Sequence, residues 1–277
     1  MSGRTTSAGR NGESLRERRQ RSRFRILVVS GILFCILLGA LIYGVWQPGV
    51  RIGNVVMYGT DQSLAQVART GLEGSYFGVI PHDSTFFLYE SGIRSALLSK
   101  YPDIAAVSIF RKGLTGLSVR TDPRTAVAHW CGTVFGGVST STESQSTCYV
   151  FDSSGFIFAH TATSTETINP ISVYASLQGD VVEPLRATIA SADKLSASFD
   201  FARQLGTLGS SVSTIVFHEG EVDQYLLSGT RISYVLGNEQ NAYTALRSAR
   251  ATLNLSDGSL LYVDLRFDGK VYLKRKE

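Results

Sequence analysis

The chain has 277 residues, with 27 Lys and Arg against 23 Asp and Glu and a net charge of +4. Eight Arg (Arg4, Arg10, Arg16, Arg18, Arg19, Arg21, Arg23, Arg25) and two Glu give residues 1–25 a charge of +6, leaving 19 basic against 21 acidic residues, a net −2, on the other 252. That distribution argues against a nucleic-acid-binding body, while 43% hydrophobic residues exclude a wholly disordered chain and three Cys exclude a disulfide-dense scaffold.

In chain order, the basic tail 1–25 is followed by Ile26–Trp46, 21 residues without a charge. As a helix this run spans the roughly 30 Å hydrocarbon core of a bilayer. Tyr43 and Trp46 suit the headgroup interface, and Gln47-Pro48-Gly49 stops the helix. A signal peptide is the rival, but its apolar core is normally shorter and ends in small residues, so an uncleaved anchor is expected. The Arg-rich tail then stays in the cytoplasm and residues from about 48 onward lie outside. Cys35 falls within the apolar run. No other stretch is long and apolar enough to span, so a single-pass protein is expected.

The segment 50–121 reads as a β-α-α-β-β unit. Arg51–Gly59 alternates as a strand, and Thr60 or Asp61 can cap a helix whose Leu64, Val67, Ala68 and Leu72 form one stripe. Gly71 and Gly74 end that helix. A second helix, about 90–100, presents Ile93, Ala96 and Leu97 and is broken by Tyr101-Pro102. Two strands follow, the first carrying Val107 and Ile109 and the second Leu117 and Val119, with a turn at Gly113. Beyond Asp122-Pro123 short strands dominate: Thr125–Cys131, Cys148–Ser153, Gly155–His160, Ser213–Glu219, Tyr225–Leu227, Arg231–Leu236, Leu260–Phe267 and Lys270–Lys274. Two helices, Leu195–Leu205 and Asn241–Leu253, interrupt them. Residues 136–147 and 161–170 are Ser/Thr-rich loops. The expected fold class is therefore α+β, with a membrane helix, a small mixed domain and a β-rich domain (122–277) carrying two helical insertions.

Three local features invite chemistry. Cys131 closes one strand and Cys148 opens another, a spacing that suits a disulfide across a hairpin base outside the membrane. A metal site on His129, Cys131 and Cys148, and a Cys131/His129 dyad, are the alternatives; C-x16-C lacks the tight spacing of zinc motifs. Ser191-Ala-Asp-Lys194 matches the S-x-x-K of penicillin-binding enzymes, but the chain is rich in Ser, and the companion S-D-N and K-T-G motifs are absent. No metal, cofactor or small-molecule substrate is expected. In Leu260–Phe267, Val263, Leu265 and Phe267 alternate inward with Tyr262, Asp264 and Arg266 outward, and Val271 and Leu273 face in on the next strand. A tight Asp268-Gly269 turn would pair Phe267 with Lys270. A bulge would instead align Phe267 with Val271, Arg266 with Tyr272 and Asp264 with Lys274.

Four stretches carry a resemblance. They are Ile52–Gly59 with Tyr76-Phe77 and Ile80-Pro81 downstream, Tyr101-Pro102-Asp103-Ile104 running into Val107-Ser108-Ile109 and Arg111, Ala126–Cys131 with Cys148–Phe158, and Leu261–Phe267 with Lys270-Val271-Tyr272. In this order, behind an anchor, they resemble the bacterial cell-division family FtsQ/DivIB. Where that family commonly has Glu-Arg-x-Pro, this chain has Asp122-Pro123-Arg124. The resemblance implies a POTRA domain at 50–121, a β domain at 122–277, and a non-catalytic scaffold of the division complex in the plasma (inner) membrane at the septum. It further implies FtsB/FtsL-type partners, a strand of one adding to the C-terminal edge, with Tyr262, Arg266, Tyr272 and Lys274 as contact residues. A POTRA scaffold for export or envelope assembly is the runner-up, and a membrane-anchored cell-wall enzyme using Ser191/Lys194 or Cys131/His129 is the rival of another class.

Overall fold

A computed structural model describes residues 15–58, 63–136, 148–161 and 166–276. The expected cap at Thr60 or Asp61 lies outside the described residues, as do most of the 136–147 loop and part of the 161–170 loop. The chain is mixed α and β and divides into two compact units, residues 1–97 with 107–121 and residues 98–106 with 122–277.

In the first unit α1 (Leu15–Val45) begins well before the apolar run, so part of the basic tail is helical. Its Arg23–Val45 portion, 23 residues, is long and apolar enough to cross a membrane, and among the described residues it is the one such helix. Trp46 lies just beyond the helix rather than inside it. Next come β1 (Asn54–Tyr58), α2 (Ser63–Thr70), a small hairpin of β2 (Ser75–Tyr76) and β3 (Ile80–Pro81), α3 (Glu90–Lys100), β4 (Ile104–Lys112) and β5 (Gly116–Pro123). The strand expected from Arg51 starts three residues late, because Pro48–Val50 forms a 3₁₀ turn and Arg51 makes only an isolated bridge to Ser84. The β2–β3 hairpin was not foreseen; two residues per strand leave no alternation to read.

The three-stranded sheet has the order β1-β5-β4, with β1 parallel to β5 and Val55 opposite Leu117. The stripe predicted on α2 holds: Leu64, Val67 and Ala68 are buried, and α2 packs on β1. Gly71 and Gly92 permit a close approach just after α2 and within α3. A Cβ on Gly92 would lie 2.4 Å from the Gly71 carbonyl oxygen.

The second unit is built on a nine-stranded sheet of order β14-β13-β12-β11-β10-β9-β6-β7-β8. Its strands are β6 (Ala128–Trp130), β7 (Tyr149–Phe151), β8 (Ile157–His160), β9 (Ser172–Tyr174), β10 (Val212–Phe217), β11 (Glu221–Leu226), β12 (Arg231–Val235), β13 (Leu260–Asp264) and β14 (Tyr272–Arg275). Two helices, α4 (Leu195–Gly206) and α5 (Glu239–Ser248), pack on each other, α4 also on β10 and α5 on β12. The core joins Trp130, Phe151, Ile189, Phe199, Leu205, Ile215, Ile232, Leu246 and Val263. Each such side chain, fully removed from water, contributes about 1.5–3 kcal/mol.

Several expectations need correction here. Strand β9 is not among the expected strands, although it pairs in parallel with both β6 and β10. Leu253 lies outside α5 but is still buried in the core. At the C-terminus β13 ends at Asp264, and residues 265–271 form a loop. Phe267 is 53% exposed and Leu273 40% exposed, whereas Asp264, expected outside, is buried. Neither expected register occurs. Tyr262 pairs with Lys274, Val263 with Leu273 and Asp264 with Tyr272. The pairing has the parity of the bulged alternative, but the loop is longer. Phe267 to Lys270 still forms a turn around Asp268-Gly269.

Candidate functional site

The geometry that stands out is the C-terminal end of the large sheet. Strand β14 is the terminal member of the sheet and is exposed along its length. Lys276 donates its backbone N–H to the Ser259 carbonyl at 2.9 Å, so its main-chain groups face β13. Backbone direction alternates along a strand, so Tyr272 and Lys274 also face β13 while Leu273 and Arg275 turn their N–H and C=O outward. Those outward groups form a short ladder open to a further strand. Exposed apolar side chains flank it: Leu261, Phe267, Tyr272 and Leu273. The Phe267 and Tyr272 rings meet edge to face, 5.3 Å between centroids. Beside the edge, α5 and the 268–271 loop enclose a groove of about 600 Å³ lined by Asn241, Thr244, Ala245, Ser248, Asp268 and Val271.

The four expected contact residues do not share one role. Tyr272 and Lys274 are exposed on β14. Tyr262 is half-buried opposite Lys274, with the Arg231 guanidinium 5.6 Å from its ring centroid. Arg266 lies beyond the end of β13 and is held by its own unit. Its Nε and Nη2 donate to Asp264 Oδ1 and Oδ2 at 2.9 and 2.7 Å, and its Nη1 to Glu221 Oε2 at 2.8 Å. The Asp264 carboxylate also accepts the Arg266 backbone N–H at 3.0 Å. The Arg266 hydrogen bonds hold the Asp264 carboxyl below its ordinary range against the opposing effect of burial. Arg266 is therefore first a clamp between β11 and β13. Asp264 and Glu221 were missed; the Asp-x-Arg spacing, which sets two side chains on one side of an extended chain, was the available signal.

A second clamp stands at the other end of the sheet. The Arg124 guanidinium pairs with Asp152 in the β7–β8 turn, donates from Nε to the Pro102 carbonyl at 2.9 Å, and lies 4.3 Å from the Phe156 ring centroid. Burial would raise the Asp152 carboxyl. Hydrogen bonds from Ser154, Arg124 and the Phe156 backbone N–H together outweigh it and hold the pKa below the ordinary range. A third polar cluster is internal. Gln224 Nε2 donates to the Ser198 carbonyl and to the Tyr234 hydroxyl at 3.0 and 3.1 Å, and that hydroxyl donates to Ser198 Oγ at 3.2 Å. Burial pushes the Tyr234 phenol well above its ordinary value.

Cys131 and Cys148 form a disulfide, with 4.3 Å between their Cα atoms. The bond occupies both thiols, which removes the His129–Cys131–Cys148 metal alternative and the Cys131/His129 dyad. Cys35 is a free thiol on α1. Ser191 immediately precedes a single 3₁₀ turn that ends at Lys194, and the Lys194 ammonium lies 3.4 Å from Asp193. Among the described residues no group of three or more His, Cys, Asp or Glu is placed to hold a metal ion.

No model of a known protein family matches the chain, and no curated protein matches it.

Proposed function

We propose that the chain is a bitopic membrane protein that works without catalysis as a scaffold of the bacterial division complex, of the FtsQ/DivIB type. In this reading α1 is the anchor, its N-terminal side is cytoplasmic, and both units lie outside the membrane at the septum. The first unit is a POTRA domain, with the β2–β3 hairpin as an addition to the β-α-α-β-β order. The second is the partner platform, and a strand of an FtsB/FtsL-type protein adds to β14.

The observation that carries the reading is the open β14 edge, with exposed Tyr272, Leu273 and Phe267 around it and a groove alongside. Main-chain hydrogen bonds from the outward groups of Leu273 and Arg275 give affinity, and Tyr272, Lys274 and the groove give selectivity. Arg266 supports the edge from behind.

The direct test replaces one outward N–H. Arg275→Pro removes a donor the sheet does not use, whereas Lys274→Pro removes one the β13–β14 ladder needs. Full-length protein is co-purified with FtsB/FtsL-type proteins from dividing cells. The expected result is that Arg275→Pro loses capture by roughly tenfold or more with its thermal unfolding almost unchanged. Equal capture by Arg275→Pro and the parent chain overturns strand addition at this edge.

A further inference from the structure

The sequence around residues 84–87 reverses the usual order of burial. Ser84 and Thr85 are 0% and 5% exposed, whereas Phe86 and Phe87 are 62% and 50% exposed. Nearby loops do the same. Phe77 is fully exposed at the tip of the β2–β3 hairpin, and Leu114 is 68% exposed at the tip of the β4–β5 hairpin. Isolated apolar residues on a surface need no explanation, but several on the tips of separate loops in one place do.

Hydrogen bonds tie all three loops to the chain just after α1. Trp46 Nε1 donates to the Val79 carbonyl at 2.7 Å. The Thr85 backbone N–H and hydroxyl both donate to the Val50 carbonyl at 2.9 Å. The Thr85 hydroxyl also contacts the Leu114 carbonyl, and the Gly53 N–H donates to the Thr115 carbonyl at 3.0 Å. Val50 follows the last helical residue by five positions, a reach of at most about 17 Å. The interfacial zone of a bilayer is about 5–8 Å deep on each side. Because Trp46 directly follows the last helical residue and itself holds the β2–β3 hairpin, that hairpin stands close to the level at which the helix leaves the hydrocarbon, with the other two loops tied to the next few residues. At that level Trp46 suits the headgroups, exposed Phe and Leu side chains can enter the acyl boundary, and the exposed Arg111 and Lys112 beside Leu114 suit anionic headgroups.

We propose that Phe77, Val79, Phe86, Phe87 and Leu114 form a lipid-contacting face that seats the first unit on the outer surface of the membrane its own helix crosses. The proposal rests on the anchor reading of α1. It adds a second contact that fixes the tilt of the unit on its helix, so that the unit is docked on the bilayer rather than swinging on a tether.

The test uses the full chain reconstituted in vesicles of phosphatidylcholine with a minor share of phosphatidylglycerol. An environment-sensitive fluorophore is placed on native Cys35 or, in a Cys35→Ser background, on Phe77→Cys, Phe86→Cys or Leu114→Cys, without reductant so that the Cys131–Cys148 bond stays closed. Lipids carrying nitroxide deep in the acyl chain or near the headgroup report depth, and aqueous iodide reports exposure. Deep quenching at Cys35, with shallow quenching and shielding from iodide at the three loop positions, is the expected result. Phe77→Asp with Phe86→Asp should then reduce shallow quenching at Leu114→Cys roughly twofold or more. Because all these side chains are exposed, the melting temperature should stay near that of the parent. Deep quenching at Cys35 with loop labels open to iodide overturns the lipid face and leaves the anchor standing. Absence of quenching at Cys35 removes the anchor reading and the proposal with it.

Discussion

The two edges of the nine-stranded sheet face the same physical problem and meet it differently. An edge strand offers unpaired N–H and C=O groups to any other chain. At the β8 edge the protein supplies the partner itself. Ile157 donates to the Ala187 carbonyl at 2.9 Å and accepts from the Arg186 N–H at 2.8 Å, and Phe156 bridges Thr188. Next to this edge strand, the disulfide ties the start of β7 to the end of β6, and Arg124 binds the β7–β8 turn. At the β14 edge no further strand follows among the described residues, and the side chains of Lys274, Arg275 and Lys276 are exposed there. One edge is covered at its start by hydrogen-bonded chain; the other is left uncovered. The difference leaves the unpaired backbone groups of β14 as the uncovered ladder of the sheet.

The strongest way to break the contrast is to loosen the closed side. Cys131→Ser with Cys148→Ser releases a closed segment of 17 residues' separation, and the expected loss is about 3 kcal/mol, since the bond acts mainly by restricting the unfolded chain. Calorimetry under oxidising conditions should show a lower unfolding temperature for the second unit, with little change in capture of partners by surviving folded protein. On the open side Arg266→Ala leaves the buried Asp264 without its main partner. Arg266 is itself 37% exposed, so water replaces part of the interaction and the expected cost is only about 1–2 kcal/mol. Acid should reveal both clamps. The folded-state pKa of Asp152 and of Asp264 is lowered, so their stabilisation is fully present above the unfolded value of about 3.9 and is lost as pH falls through the folded one. Unfolding followed from pH 7 downward should therefore steepen below about pH 4. Asp152→Asn and Asp264→Asn should each flatten that decline; a profile unchanged in either variant contradicts the corresponding clamp.

Much of this organisation was legible in the sequence where a physical signal repeats. The apolar run and the helical stripes of α2 and α4 each place several residues on one face, so tertiary packing had little left to decide. The paired cysteines were legible because each stands beside a strand. Where three residues form an element, as in β9, no period exists, and the strand is set by β6 and β10 on either side. The C-terminal hairpin shows the same limit more finely. Alternation selects the parity of the register, and the observed pairing obeys it. Parity alone leaves the loop length open, and the inward turn of Asp264 is signalled locally only by the Asp-x-Arg spacing to Arg266, whose other partner Glu221 is distant in sequence. For the site, Tyr272 and Lys274 were readable as outward residues of an edge strand, whereas Arg266 was not readable as a clamp because Glu221 is distant in sequence.

The smallest expected effect separates two purposes for the basic end of β14. Lys274, Arg275 and Lys276 are exposed, and charge on an edge strand commonly prevents unwanted pairing between copies. Neutralising surface side chains that lack buried partners changes stability by no more than about 0.5 kcal/mol. Lys274→Gln with Lys276→Gln should accordingly leave the thermal midpoint within error of the parent. Its consequence should appear in solution behaviour. If the charges guard the edge, light scattering at rising protein concentration should show self-association of the variant that the parent lacks. Adding Arg275→Pro to the same variant should suppress that association, because the outward ladder is then interrupted. If the double variant stays monomeric yet loses partner capture, the lysines read the partner rather than exclude copies of this chain. Because the backbone ladder is common to both processes and the charges are not, the pair of variants tells recognition from protection without disturbing the fold.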